Sequence, residues 1–263
     1  MDLGLAGRRA FVGGASRGLG YAVAEALVRE GAQVAIAARD EAALASARDA
    51  LAQLGPGPVY AIAGDLGHAD SAARTVARAI DLLSGLDVLV TNGGGPPHGG
   101  FTAHDDAAWR SAAELLLFST VAMVRAALPA LEKSDQARIV HVASTSIKQP
   151  IDALLLSNSL RAAVAGLAKS LSLELGPKGV LVNVVCPGSM DTDRIRDLDE
   201  AQAHARGVAR EQVTAERAKS IPLGRIGRPE EFGAAVAFLC SARASYITGA
   251  VLQIDGGATR SLL

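Results

Sequence analysis

The chemistry written most plainly into this chain is that of holding a phosphate. Gly14, Gly18 and Gly20 recur through the turn Gly13-Gly14-Ala15-Ser16-Arg17-Gly18-Leu19-Gly20. An apolar run, Ala10-Phe11-Val12, precedes it, and Tyr21 to Val28 follow with apolar residues at helical spacing. Glycines at such a bend allow backbone angles closed to other residues, and free N–H groups at the start of the helix attract negative charge. The diphosphate of a dinucleotide is the ligand this arrangement suits, although such a turn in isolation also serves as a plain bend. A second apolar run ends in Ala37-Ala38-Arg39-Asp40. An NAD site commonly carries a carboxylate there for the ribose diol; here Ala38 is followed by an arginine, which suits a 2′-phosphate. NADP(H) is therefore expected ahead of NAD(H), with Arg17 as a second cation. After the third run Asp65 can accept from an adenine amino group, and after the fourth the glycines of Asn92-Gly93-Gly94-Gly95 let the backbone approach a flat ligand. Of His98, His104 and His141, only His98 lies where a ligand edge is expected, and a lone loop histidine is ordinarily a solvated residue.

The elements that must position these residues alternate along the whole chain. Short apolar runs at Arg9–Gly13, Gln33–Ala38, Val59–Ala63, 87–91, 138–143, 180–185 and Val251–Ile254 read as strands. Helical patterns lie between them, including 41–54, Ala69–Leu83, Asp106–Leu131 and 154–175. That alternation predicts a parallel sheet covered by helices on both faces, with ligands at the C-terminal ends of the strands. No repeat or linker divides it, so one domain over residues 1–263 is expected.

Composition removes several function classes. A net charge of -1 and an aromatic share of 3% give neither a basic footprint for nucleic acid nor stacking platforms for single strands. Cys186 and Cys240 stand far apart in apolar surroundings, unlike a metal knuckle or redox dithiol, and read as buried thiols. No secretory signal or uninterrupted apolar run of about 18 residues is apparent, so a soluble cytoplasmic protein is expected.

Taken in order, these motifs resemble the short-chain dehydrogenase/reductase family. The resemblance rests on Gly14-x-x-x-Gly18-x-Gly20, Asp65-Leu66, Leu86 through Gly94, Ile139 through Ser144, Pro187-Gly188, Gly227-Arg228-Pro229-Glu230, Tyr246-Ile247-Thr248-Gly249 and Ile254-Asp255-Gly256-Gly257. It runs from end to end and is nearest the 3-oxoacyl-carrier-protein reductase-like branch. It implies a single doubly wound Rossmann-type α/β domain with a seven-stranded parallel sheet, a nicotinamide cofactor, and a homodimer or homotetramer. It places Gly14, Ser16, Arg17, Gly18, Leu19, Gly20, Arg39, Asp65, Leu66, Asn92, Gly94, Pro187, Gly188 and Thr192 at cofactor contacts, and a substrate lid at about 189–221.

The chain departs from the family where chemistry is done. Ser144 matches the family's serine, but Ser157 stands at the tyrosine of Tyr-x-x-x-Lys, Arg161 at the lysine, and Leu116 at the asparagine. A serine hydroxyl is far less acidic than a phenol, and an arginine holds its proton. Ser144, Ser157 and Arg161 remain the catalytic candidates, with the proton expected from water or substrate. Two functions stay open: an NADP(H)-dependent oxidoreductase acting on a small carbonyl or alcohol with altered proton chemistry, or an NADP(H)-binding sensor or scaffold with little catalysis. The charged segment 191–220 reads as a solvated amphipathic lid, its arginines, Arg194 among them, balanced by acidic neighbours.

Overall fold

A computed structural model describes residues 2–262. Among these, strands β1 (Arg9–Gly13), β2 (Gln33–Ala38), β3 (Val59–Ala63), β4 (Val88–Thr91), β5 (Arg138–Val142), β6 (Leu181–Pro187) and β7 (Val251–Ile254) form one all-parallel sheet in the order β3-β2-β1-β4-β5-β6-β7. Residues alternate between two buried faces. Val12, Val34, Ile36, Val90 and Val140 pack against helices α1 (Gly18–Arg29), α2 (Glu41–Leu51) and α9 (Pro229–Cys240). Phe11, Ala35, Leu89, Ile139 and Val182 meet α3 (Ala69–Leu83), α5 (Ser119–Leu131) and α6 (Leu155–Leu175) on the other. Burial on both faces is why the strands read as continuous apolar runs.

Chain order reverses at β1, which pairs with β2 on one side and with β4 on the other (Phe11 opposite Leu89). The crevice between the C-terminal ends of β1 and β4 is therefore where the glycine turn and the loop from Asn92 meet. At the opposite, N-terminal edge the first strands are tied by charge. Arg9 Nε and Nη2 donate to the two oxygens of Asp87 at 2.9 and 2.8 Å, and Ser134 Oγ donates to Oδ1 at 2.6 Å.

Several expected boundaries shift. The helix expected over 41–54 stops at Leu51, and the sixth strand runs from Leu181 to Pro187, carrying Pro187 to the sheet edge. The long helix Asp106–Leu131 is not uniform: α4 (Asp106–Ala113) passes through a π-helical turn, Glu114–Phe118, into α5. Ser119 Oγ and Thr120 Oγ1 donate to the carbonyls of Leu115 and Leu116, both at 2.7 Å, and so satisfy oxygens inside the widened turn. By length and composition this stretch is also apolar enough to cross a membrane, more so than the sequence reading allowed. Here Met123, Val124, Ala127 and Leu131 are buried in the core beside α3. The charged segment 191–220 forms two helices, α7 (Asp193–Arg206) and α8 (Arg210–Lys219), because Gly207 turns left-handed (φ 65°) and ends α7. Buried Asp199 clasps the pair by accepting from Thr214 Oγ1 (2.8 Å) and Arg217 Nε (2.8 Å).

Candidate active site

The turn after β1 has the geometry its glycines predict. Gly14 and Gly18 take φ of 59° and 61°, and a Cβ on Gly20 would lie 2.2 Å from the carbonyl oxygen of Gly14. Asn92, expected at the cofactor, spends its side-chain amide on this turn, donating to Gly13 O (3.1 Å) and Gly14 O (3.4 Å). It strengthens the cradle and leaves its backbone to the crevice. No side chain caps the N-terminus of α1, so its first N–H groups stay free for an anion. Ser16 and Leu19 are partly buried in the same turn, and the methyl of Thr192 would stand 3.7 Å from a Cβ on Gly18, so the start of α7 overhangs it.

Arg39 is exposed at the end of β2 and makes no ion pair or hydrogen bond within the described residues. Arg17, also exposed, lies 4.0 Å from Asp193. Asp65 Oδ1 accepts from the N–H of Gly67 (2.8 Å), Oδ2 lies 3.9 Å from His68 Nε2, and Leu66 is buried beside it. Gly93 and Gly94 face open space. Pro187 ends β6, and Gly188 N donates to Ile254 O at 3.0 Å. Free helix N–H groups, an unpartnered cation at the end of β2 and an open glycine edge together fit a phosphorylated dinucleotide.

The reacting end lies further along the same crevice. Helix α6 sets Ser157 and Arg161 one turn apart, and Arg161 Nε donates to Ser157 Oγ at 3.1 Å. Arg161 Nη1 donates to the carbonyls of Val142 and Ala143, both at 3.2 Å, and Nη2 to Gly94 O at 3.4 Å. The guanidinium thus links α6 to the ends of β4 and β5 and, among the described residues, meets no carboxylate. Burial, with Arg194 close by, lowers its pKa to about 10, so it remains a cation at neutral pH. Ser144 Oγ accepts from Ser146 N at 3.1 Å, which leaves the Ser144 hydroxyl proton to point elsewhere. Burial pushes the nearby Cys186 thiol up to about 11, so it is protonated and inert.

Leu116, at the asparagine position, is buried in the π-helical turn and lines a cavity of about 20 Å³ with Thr91, Asn92, Ser119, Thr120 and Arg161. That is room for one water beside the guanidinium. Thr91 also bonds His141 Nδ1 at 2.7 Å, which makes His141 a core residue. Burial lowers its pKa to about 4. His98 is exposed on its loop. Among the charges of 191–220, Arg194, itself exposed, stands out: its guanidinium lies against Gly95, where a Cβ would be 2.5 Å from Nη1. Its only sequence signal is its place two residues after Thr192.

Relatives carry the same architecture. The family model described as enoyl-(acyl carrier protein) reductase matches residues 14–259. The chain is 33% identical over 255 residues to a 3-oxoacyl-[acyl-carrier-protein] reductase of Vibrio cholerae, covering 97% of this chain and 98% of the relative. Among solved structures, L-sorbose reductase from Gluconobacter frateurii, complexed with NADPH and L-sorbose, superposes with a TM-score of 0.95 at 28% identity, covering all of both chains. A short-chain oxidoreductase from Pseudomonas aeruginosa, bound to NADPH and described as containing an atypical catalytic centre, superposes with a TM-score of 0.87 at 34% identity over 97% of this chain and 99% of that one. With the cradle at the β1–β4 reversal and the motif order preserved through β7, the chain belongs to the short-chain dehydrogenase/reductase family.

Proposed function

We propose that this protein is an NADPH-dependent oxidoreductase that interconverts a small carbonyl compound and its alcohol, using the family's serine, Ser144, together with Arg161 at the lysine position, while Ser157 stands where the family has its tyrosine. The observation that carries the reading is the Arg161–Ser157 pair at 3.1 Å, held at the strand ends directly beside the dinucleotide cradle. The glycine turn, Ser16, Leu19, Asp65, Leu66, Gly94, Pro187, Gly188 and Thr192 line the cofactor crevice, and Arg39 with Arg17 selects the 2′-phosphate. Bound NADPH supplies a hydride. The Ser144 hydroxyl donates to the substrate oxygen, and Arg161 holds the nicotinamide ribose and stabilises negative charge as it develops on that oxygen. A fixed donor of this kind contributes about 2.7–4 kcal/mol to the transition state. Ser157 anchors the guanidinium through Nε; its own hydroxyl is too weak an acid to serve, so the proton comes from water, for which the cavity beside Arg161 has room. The lid over 189–221, carried by α7 and α8, excludes bulk solvent.

A cytoplasmic homo-oligomer completes the reading. Phe118, Leu173 and Leu252 are exposed large apolar side chains on the π-helical turn, α6 and β7, the surfaces on which the resemblance places two-fold contacts. Light scattering at micromolar concentration should give a dimer or tetramer.

A second reading, a dinucleotide-binding sensor or scaffold, is favoured by Leu116 and Ser157, which stand where the family has its asparagine and tyrosine. NADPH oxidation across ketones, acyl thioesters, quinones and imines, run beside a cofactor titration, separates the two. The oxidoreductase reading expects turnover on an activated carbonyl that Ser144→Ala reduces by about 100-fold or more. Tight NADPH binding with no turnover on any acceptor, and activity gained by Ser157→Tyr with Arg161→Lys, would leave the sensor standing. Loss of a robust activity in Ser157→Ala alone would reassign the proton to Ser157.

A further inference from the structure

Two guanidiniums converge on the glycine loop after β4. Arg161 Nη2 donates to Gly94 O, and Arg194 reaches from the first turn of α7 to lie against Gly95. They are close enough that Arg194 contributes to lowering the pKa of Arg161. Like charges brought together repel unless an anion lies between them. The acidic groups nearby are engaged elsewhere: Asp193 with Arg17 and Arg196, Asp191 with Arg196, and Asp255 with the N–H groups of Gly257 and Thr259. Lys148, partly buried and near enough to Cys186 to lower its pKa, also has no carboxylate partner among the described residues. The start of α7 adds the partial positive charge of its free N–H groups.

We infer that this cation cluster recognises the substrate itself, as a carbonyl compound bearing a carboxylate one or two bonds from its C=O, a 2- or 3-oxo acid. The inference rests on the oxidoreductase reading for the identity of the reacting group. Proximity sets the class: Arg161 bonds Gly94 O and the exposed Arg194 guanidinium lies beside the next residue, Gly95, so both cations border one stretch of the loop. A small ligand that meets both carries its carboxylate close to the carbonyl oxygen. Arg161 meets the oxygen that gains charge, and Arg194 meets the carboxylate, where its planar fork can bind both oxygens. The diphosphate of the dinucleotide is the other anion available. Its cradle lies at Gly18, overhung by Thr192, whereas the Arg194 guanidinium is carried past it toward Gly95 and Arg161.

Calorimetric titration of the NADP⁺-loaded protein with phenylglyoxylate and with its methyl ester tests this without requiring turnover. The acid should bind at least about tenfold more tightly than the ester, a difference of about 1.4 kcal/mol. Arg194→Leu should erase that preference while leaving NADPH affinity in place, and Arg196→Leu, on the same helix but paired with Asp191 and Asp193, should retain it. Equal binding of acid and ester by the wild type, or no binding of the acid, overturns the inference. So does an Arg194→Leu variant that loses NADPH rather than the acid, which would assign the guanidinium to the diphosphate. Acid preference without turnover on any carbonyl keeps the anion site and sinks the oxidoreductase reading. Turnover of neutral carbonyls without acid preference does the reverse.

Discussion

Two arginines at opposite ends of the same sheet differ in what they hold. At the N-terminal edge Arg9 meets Asp87 through both carboxylate oxygens, with Ser134 on one of them, and the Asp87 carboxyl is held below its usual range although burial opposes it. At the C-terminal edge Arg161 meets, among the described residues, only carbonyls and a hydroxyl, and faces a second guanidinium. A buried arginine among carbonyls is not by itself a site. Arg138 donates to Ala137 O and Ser241 O, and there the neighbouring cation Arg8 is already paired with Asp135. The charge at the N-terminal edge is balanced within the fold, and that at the crevice has no carboxylate partner among the described residues. On the function proposed above, one end serves stability and the other binding.

The comparison is sharpest in variants that separate activity from stability. Arg161→Met should lower carbonyl turnover by about 100- to 1000-fold, the scale of one lost charge-stabilising donor. It should shift the urea midpoint by less than about 1 kcal/mol in stability, because the freed carbonyls open onto a crevice that water can enter. A large loss of stability there would make Arg161 a structural partner like Arg9. Asp87→Ala should do the opposite, costing about 3 kcal/mol by stranding Arg9, the low end for a buried pair because Arg9 keeps some contact with water. Its NADPH affinity should hold, and weakened cofactor binding at full stability would break the division between the edges.

Acid should reveal a third buried group. His141 titrates near 6.5 when unfolded and near 4 in the fold, because burial penalises its cation. The unfolded chain therefore binds more protons between those values, and stability falls as pH falls through that window. About 2 kcal/mol should be lost between pH 7 and pH 5, above the range where carboxylates titrate. Urea melts across that range read it, and His141→Leu should flatten the slope; an unchanged slope would mean another group carries the effect. The smallest expected effect concerns the cofactor. A charged hydrogen bond from Arg39 contributes about 1.5–3 kcal/mol, enough for a tenfold to hundredfold preference for NADPH over NADH. Arg39→Asp should abolish it, and equal affinity in the wild type would remove Arg39 from the site.

The glycine turn was legible in sequence because its requirement is local: a positive φ at Gly14 and Gly18 and the absence of a Cβ at Gly20 are properties of single residues. The strands were legible because burial on both faces writes unbroken apolar runs, and the motif order named the family before any coordinate was known. Sequence also showed which residues stand at the Ser144, Ser157 and Arg161 positions. It could not show the work they share, which depends on distance. That Asn92 braces Gly13 and Gly14, that Ser119 and Thr120 bond inside a π-helical turn, and that Gly207 divides the segment 191–220 are contacts or backbone states fixed by packing. Arg194 is the clearest case. Within 191–220 it is one charge among many, with acidic neighbours along the segment to balance it. Only the fold sends Asp193 toward Arg17 and Arg196 and carries Arg194 to Gly95 and Arg161, because a charge is balanced by what lies near it in space rather than along the chain.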